Sequence, residues 1–415
     1  MIINLEKHLN YLSFMLIIFI LSICTGPFLP DLMLSLIGLY FIFLTYKYRL
    51  YKFYKNIFSL WFIPLYFLIL ISGISSQNIF DSLIDYDGPI FYFRYYFFVI
   101  AIYFLLISKK NIFKLLNYIL IFILLFVGVD ALFQFFFGFD FFGIPRLEQG
   151  QLRISGIFGK EQILGHYLIK LLPISLVIMF YLKIANQNKF LIYFYVLFLS
   201  SIIFISGDRT AMLILFMIGM SFFFIDLKQN ILNKLIYLFS IISIFFIIIF
   251  LNPSSQQRFN QTLSEVSSIS IPFLPFSPGH ERLIMNGLDL AKSDFLFGIG
   301  TQMYRSTCSL YQSYCATHPH NIYVQIFIEN GLIGILLLLI PFIYFAIYCL
   351  HTFFINLIKK NSLNQKSYHF QFIIILIACN LWPIMPYANF YNNWMNCLLY
   401  LPIPFWLFFH NQKQD

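Results

Sequence analysis

Residues 231–251 carry a single charge in 21 positions, Lys234, and runs of the same character recur from one end of the chain to the other. About 20 apolar residues is the length at which an α-helix crosses the hydrocarbon core of a bilayer, with every backbone N–H and C=O bonded inside the segment. Twelve such stretches, bounded by polar residues or by Gly and Pro, fall near 10–25, 31–46, 57–75, 90–108, 113–137, 162–182, 189–206, 210–226, 231–251, 322–350, 368–386 and 392–410. Of the 415 residues 60% are hydrophobic and only 10% charged, whereas soluble domains carry roughly a quarter charged residues. An ordinary water-soluble fold is excluded. The expectation is an all-α polytopic membrane protein of about 12 transmembrane helices. Helices 1–9 would lie in residues 1–251, a loop domain in 252–321, and helices 10–12 with a short tail in 322–415.

The connections between the stretches alternate in charge. One set holds Lys47, Arg49, Lys52 and Lys55, then Lys109, Lys110 and Lys114, then Lys183 and Lys189, Lys228 and Lys234, and finally Lys359, Lys360 and Lys366. With Lys7 and Lys413 this set takes 16 of the 26 basic residues. Cytoplasmic loops carry such an excess, so this side and both termini are expected in the cytoplasm. The net charge of +9 is then a topology signal. A nucleic-acid partner would need a clustered basic face, and none is expected. The first stretch follows Lys7 and is short, like a secretory signal, but Cys24-Thr25-Gly26-Pro27 offers no small-x-small cleavage site. An uncleaved span is expected.

The opposite side has a loop near 76–90 with Asp81, Asp85 and Asp87, a second near 138–161, the turn Ser206-Gly207-Asp208-Arg209, and the long segment 252–321. In that segment Arg258, Arg282, Lys292 and Arg305 balance Glu265, Glu281, Asp289 and Asp294. Cys349, Cys379 and Cys397 fall in apolar stretches and read as small core residues. Cys308 and Cys315 lie in the long segment, where an oxidising compartment would let them close a small loop just before the histidines. Spacing alone does not set that geometry. No CxxC or other strong metal pattern is present.

Polar side chains in or bordering a membrane are costly to keep and are functional candidates on that ground. Four groups stand out on the outer side, and each also has a plainer reading. Thr317-His318-Pro319-His320-Asn321 precedes the tenth stretch. Pro319 suits the start of a helix, which would put His320 in the first turn with Val324, Phe327, Gly331 and Gly334 on its face and Glu329 opposite. The glycines would leave a groove for a neighbouring helix or a lipid chain; the plainer reading is a capping histidine. A His pair with one spacer also suits zinc, but no third ligand is evident and no metal is expected.

Arg209 stands at the mouth of an apolar span, where an arginine either snorkels to the interface or binds an anion, and Asp208 could simply pair with it. Gly279-His280-Glu281-Arg282-Leu283 opens a stretch to about Ser293 that reads as a short amphipathic helix on the membrane surface. The turn Gly298-Ile299-Gly300 after it lacks the spacing of a nucleotide fingerprint. The run from Arg153 to Glu161 leads into the sixth stretch with His166 and Lys170, and Arg94 and Lys160 lie on the same side. Separate cations of this kind either converge on a phosphate-bearing head group or are unrelated interfacial charges. Asp130 and Lys170 lie deeper, as a candidate buried pair.

These elements, in this order, resemble the O-antigen ligase and polymerase family over nearly the whole chain. That family's ligase pattern is His, then Asn/Ser/Gln, nine residues, Gly, two residues, and Gly/Thr/Tyr; here it reads His320, Asn321, Gly331 and Gly334 with no departure. The Ser-Gly-x-Arg turn at Arg209, an arginine in the large outer loop at Arg282, and the Gly-x-Phe-Gly run at Gly156–Gly159 also match.

The resemblance implies a metal-independent, inverting glycosyltransferase of the membrane GT-C type, in the bacterial inner membrane with its site facing the periplasm. The donor would be a glycan on undecaprenyl pyrophosphate and the acceptor a sugar hydroxyl of lipid A–core. Membrane lipids are the remaining partners, and no cofactor is implied. His320, Arg209 and Arg282 would be catalytic. An imidazole, with a pKa of about 6.5, suits removal of the acceptor's proton, and the arginines suit a departing pyrophosphate. Arg153, Arg94 and Lys160 would support the phosphates, and His318, Asn321, Gly331 and Gly334 would complete the substrate site.

A polymerase would use the same donor and architecture. No arginine here has Gly eleven positions later, as some polymerases do, and the complete histidine pattern favours ligase. The chain ends soon after the twelfth stretch, which speaks against the longer protein-glycosylating relatives. A transporter of the same lipid-linked sugars would line a path through its spans with polar residues, and only Asp130 and Lys170 offer any.

Overall fold

The computed structural model describes residues 2–84, 88–146, 153–184, 188–225, 231–251, 253–267, 278–311, 314–359 and 365–414. Asp85, Asp87, Lys228 and Lys360 lie outside the described residues, as does the side chain of Arg258. The regular structure among them is helical: α1 (Ile2–Ser22), α2 (Phe28–Tyr48), α3 (Ile57–Ile74), α4 (Ile79–Leu83), α5 (Phe93–Ser108), α6 (Ile112–Phe137), α7 (Leu164–Tyr181), α8 (Lys189–Ile205) and α9 (Arg209–Ile225). There follow α10 (Ile231–Leu251), α11 (Pro253–Ser267), α12 (Pro278–Ala291), α13 (Tyr304–Tyr311), α14 (Ile322–Lys359), α15 (Gln365–Asn380), α16 (Asn393–Tyr400) and α17 (Pro402–Gln414).

The chain is a polytopic α-helical membrane protein. Among the described residues seven helices are long and apolar enough to cross a bilayer: Leu5–Thr25, Phe28–Tyr48, Ile57–Ile74, Pro89–Ser108, Ile112–Phe137, Leu164–Tyr181 and Ile322–Thr352. Four shorter apolar helices, Phe190–Ile205, Arg209–Ser221, Leu238–Phe250 and Gln371–Asn380, fall in further expected stretches. The even count of twelve is not reproduced, and proline is the reason at both departures near the end of the chain. Pro402 and Pro404 lack the N–H a helix needs, so stretch 392–410 is two helices, α16 and α17. Stretch 368–386 ends as helix at Asn380, and residues 381–392, with Pro383 and Pro386, run irregularly toward the histidines.

Lys47 and Lys109, assigned to one side by charge, both lie beside α1, bonded to His8 and Asn10. One continuous core of aliphatic and aromatic side chains joins most of the helices.

Helix α14 is broken at Gly331, where φ is +69° and ψ is −165°. Backbone groups freed in an apolar setting must find partners, and residues 295–300 supply them. Ile299 N donates to Ile328 O at 2.9 Å, Gly300 N to Glu329 O at 3.1 Å, and Leu332 N to Phe295 O at 2.9 Å. The approach is too close for a side chain: a Cβ on Gly331 would lie 2.2 Å from Leu296 O. A Cβ on Gly334 would lie 2.7 Å from Asn330 Cβ. The single stripe expected from His320 to Gly334 is therefore absent, and protein backbone fills the place below the histidine that was read as a groove.

Asp130 and Lys170 do not pair. Asp130 Oδ1 accepts from Phe141 N at 2.9 Å, and its neighbour Gln134 accepts from Ser155 N and Gly156 N, so α6 holds the loop that carries Arg153. Lys170 donates to the hydroxyl of Tyr387.

Candidate active site

His320 precedes α14 instead of opening its first turn. Its φ is +56°, in a left-handed region that costs a residue with a β-carbon about 1–2 kcal/mol. Two neighbours hold it there. Tyr387 N donates to His320 O at 2.8 Å. Asn321 caps the helix: its Oδ1 accepts from Tyr323 N and Val324 N, both at 3.0 Å, while its Nδ2 donates to Pro383 O at 2.7 Å. The His320 ring lies 4.1 Å from that of His318 and 4.8 Å from that of His280, centroid to centroid.

Burial pushes the His320 imidazole down to about 3, and His318 and His280 add to the shift. Burial likewise takes His318 down to about 4 and lowers His280. The cluster is therefore neutral at pH 7, with ring lone pairs able to receive a proton. His318 Nδ1 bonds Thr317 Oγ1 at 3.0 Å, and the backbone of Tyr387 also engages its ring.

Helix α9 brings the arginine. Asp208 is its N-cap, accepting on Oδ1 from Thr210 N and Ala211 N at 3.1 Å each, and so it does not pair with Arg209. Its other oxygen faces His166 Nε2 at 3.6 Å, longer than a hydrogen bond. Gly165 permits that approach, since a Cβ there would lie 2.6 Å from Asp208 Cβ. Arg209 Nη1 bonds Glu265 Oε2 at 2.6 Å, while Nε and Nη2 are buried without a hydrogen-bond partner. Those two nitrogens form the side-on edge with which guanidinium grips phosphate bidentately. Arg153 is half-buried; burial lowers its pKa, Asp208 opposes this, and Arg209 adds to it. Arg153 and Arg209 both act electrostatically on His280, so their charge lies within reach of the histidine cluster.

The other expected residues are more scattered. Arg282 is exposed on α12, two residues beyond His280, and Lys160 is exposed in the turn before α7. Arg94 is elsewhere: its guanidinium bonds Asp31 at 2.8 Å, Phe91 O at 3.0 Å, Tyr95 OH at 3.0 Å and Asn393, which ties α2, α5 and α16 together. Its donors are taken up in the fold. Asn321 is buried in its capping role, and Gly331 and Gly334 serve the helix break and its packing.

Helix α12 forms where the amphipathic stretch was read, but its buried side, including Leu283 and Gly287, packs on α14. Cys308 and Cys315 are joined in a disulfide. Among the described residues no group of three or more His, Cys, Asp or Glu side chains is disposed to hold a metal ion. The sequence reading did not assign His280, His166, Glu265 or Tyr387 to the site. His280 lay inside a motif already singled out, but nothing local linked it to a histidine 40 positions on.

Residues 194–339 match the family model described as O-antigen ligase. That span contains Arg209, Glu265, His280, Arg282, His318, His320, Gly331 and Gly334, and it bears out the resemblance to an O-antigen ligase-like family. No curated protein matches the chain.

Proposed function

We propose that this O-antigen ligase-like protein transfers a glycan from undecaprenyl pyrophosphate to a sugar hydroxyl of lipid A–core, at the periplasmic face of the inner membrane. The observation that carries the reading is the meeting of His320 and two further neutral histidines with Arg153 and the unpartnered edge of Arg209. Direct displacement needs a base for the acceptor and positive charge for the leaving group, and these residues supply both.

In the proposed step the acceptor O–H gives its proton to His320 and the oxygen bonds to the anomeric carbon. The bond from that carbon to the pyrophosphate oxygen breaks, and undecaprenyl pyrophosphate leaves with inversion at the anomeric centre. Arg209 holds a phosphate through Nε and Nη2, Arg153 adds charge from the α6–α7 loop, and Arg282 meets the donor at the outer edge. No metal takes part. An imidazole protonating near pH 3 is a weak base, and a bound pyrophosphate raises its proton affinity toward neutral pH. His318 and Lys160 assist at the rim of the site. The Cys308–Cys315 disulfide supports a periplasmic location, since such bonds persist in oxidising compartments. The helices form a GT-C-type scaffold with both termini cytoplasmic.

The test is a transfer assay in membranes with undecaprenyl-pyrophosphate glycan and lipid A–core, comparing the protein with His320→Ala. Glycan on lipid A–core only with the intact histidine supports the ligase reading. Lengthening of the undecaprenyl-linked glycan would make the protein a polymerase. No covalent product of either kind would overturn the reading in favour of transport.

A further inference from the structure

We propose that Lys170 is a positioning residue for His320, acting through Tyr387. The inference rests on the reading of His320 as the base. Lys170 is fully buried in the apolar helix α7, where a polar amine is retained only when something holds it. Its Nζ donates to Tyr387 OH at 2.5 Å and lies 4.5 Å from the centre of that ring. Tyr387 in turn donates its backbone N–H to the carbonyl of His320 at 2.8 Å. The chain of contacts therefore runs from a membrane helix, through one tyrosine, to the backbone of the candidate base.

Residues 381–392 are irregular and lack a helical ladder of their own. Side chains from other elements hold them: Asn321 on Pro383, Gln325 on Asn389 and Phe390, and Lys170 on Tyr387. Of these, the Lys170 contact bears on the residue that bonds His320. His320 is in a left-handed conformation, so it depends on that external bond more than a residue inside a helix would. Release of Tyr387 frees the His320 carbonyl and lets the ring drift from the acceptor. Asp208, the cap of the Arg209 helix, also faces the Lys170 amine, but its bonds from Thr210 N and Ala211 N hold it in place, so Arg209 keeps its hold on the donor.

The experiment measures kcat and the donor KM for wild type, Lys170→Met, Tyr387→Phe, the double variant and His320→Ala in the same membranes. Lys170→Met and Tyr387→Phe are each expected to lower kcat by about 10- to 100-fold, the scale of an ångström misplacement, with KM within about twofold. The double variant should be no slower than the slower single one, because both changes break the same link. Wild-type kcat in Lys170→Met, a rise in KM of the same size as the loss, or additive losses would each overturn the proposal. Should Lys170→Met not be recovered folded, Tyr387→Phe decides by the same criteria. If wild type shows no His320-dependent transfer, the reading of the site itself has failed. If transfer depends on His320 but not on Lys170, only the positioning role has failed.

Discussion

Replacing His320 by alanine removes the proposed base but leaves the arginines in place, so transfer is expected to fall by about 10²–10⁴-fold with little change in donor KM. His318→Ala should cost much less, and the opposite order in a steady-state assay would reassign the base. Arg209→Lys keeps the charge but loses the planar edge formed by Nε and Nη2. A donor KM raised at least about tenfold is expected, and a wild-type value would exclude bidentate phosphate binding. The histidines also set a pH dependence of stability. The folded values of about 3 for His320 and about 4 for His318 lie below the roughly 6.5 of a free imidazole. The unfolded chain therefore takes up protons first as pH falls. The stabilisation is complete above about pH 6.5 and is lost as pH falls through about 4 for His318 and about 3 for His320. Thermal unfolding in detergent should give a lower Tm at pH 5 than at 7.5, and His320→Gln should narrow that gap. At this scale the sequence was informative about identity and silent about company. The spacing of His320, Asn321, Gly331 and Gly334 marked the region, but His280 and Tyr387 join it only through tertiary packing. Arg94 shows the converse, a cation on the expected side whose bonds are all structural.

Among the elements, α14 shows what an apolar run conceals. Residues 322–350 read as one span because hydropathy counts side chains, whereas the break at Gly331 is a backbone event set by the 295–300 loop. Gly331→Ala would force a Cβ to 2.2 Å from Leu296 O, so a loss of folded protein or a Tm lowered by many degrees is expected. Gly219, in α9, is the control: nothing lies within 4 Å of its Cβ position. Gly219→Ala should leave Tm unchanged or raise it slightly, as helix propensity favours alanine by roughly 1 kcal/mol. Equal behaviour of the two variants in a detergent melt would mean the 295–300 contact is not needed. The same blindness explains residues 381–386, which read as the end of a span and belong to an irregular brace. Their prolines were the available signal, and they were outweighed by apolar neighbours.

For the whole molecule, helix class and the grouping of polar residues outside the spans were legible, because burial of uncharged runs leaves few alternatives. The number of full-length crossings was not, since proline and tertiary pairing shorten helices that composition alone would extend. Orientation can be tested directly. A cysteine in place of exposed Lys292 is expected to react with a membrane-impermeant thiol reagent from the outer side, and one in place of Lys52 only after permeabilisation, with wild type as the blank. The reverse pattern would overturn the proposed periplasmic placement of the site.

The bond from Lys170 to Tyr387 joins residues 217 positions apart, and that from Asn321 to Pro383 spans 62. On the proposed reading, these separations fix an order in time as the ribosome delivers the chain. Arg153, Arg209 and His280 emerge well before the stretch that orients His320. On that reading, activity is expected only after residues 381–392 are made and docked.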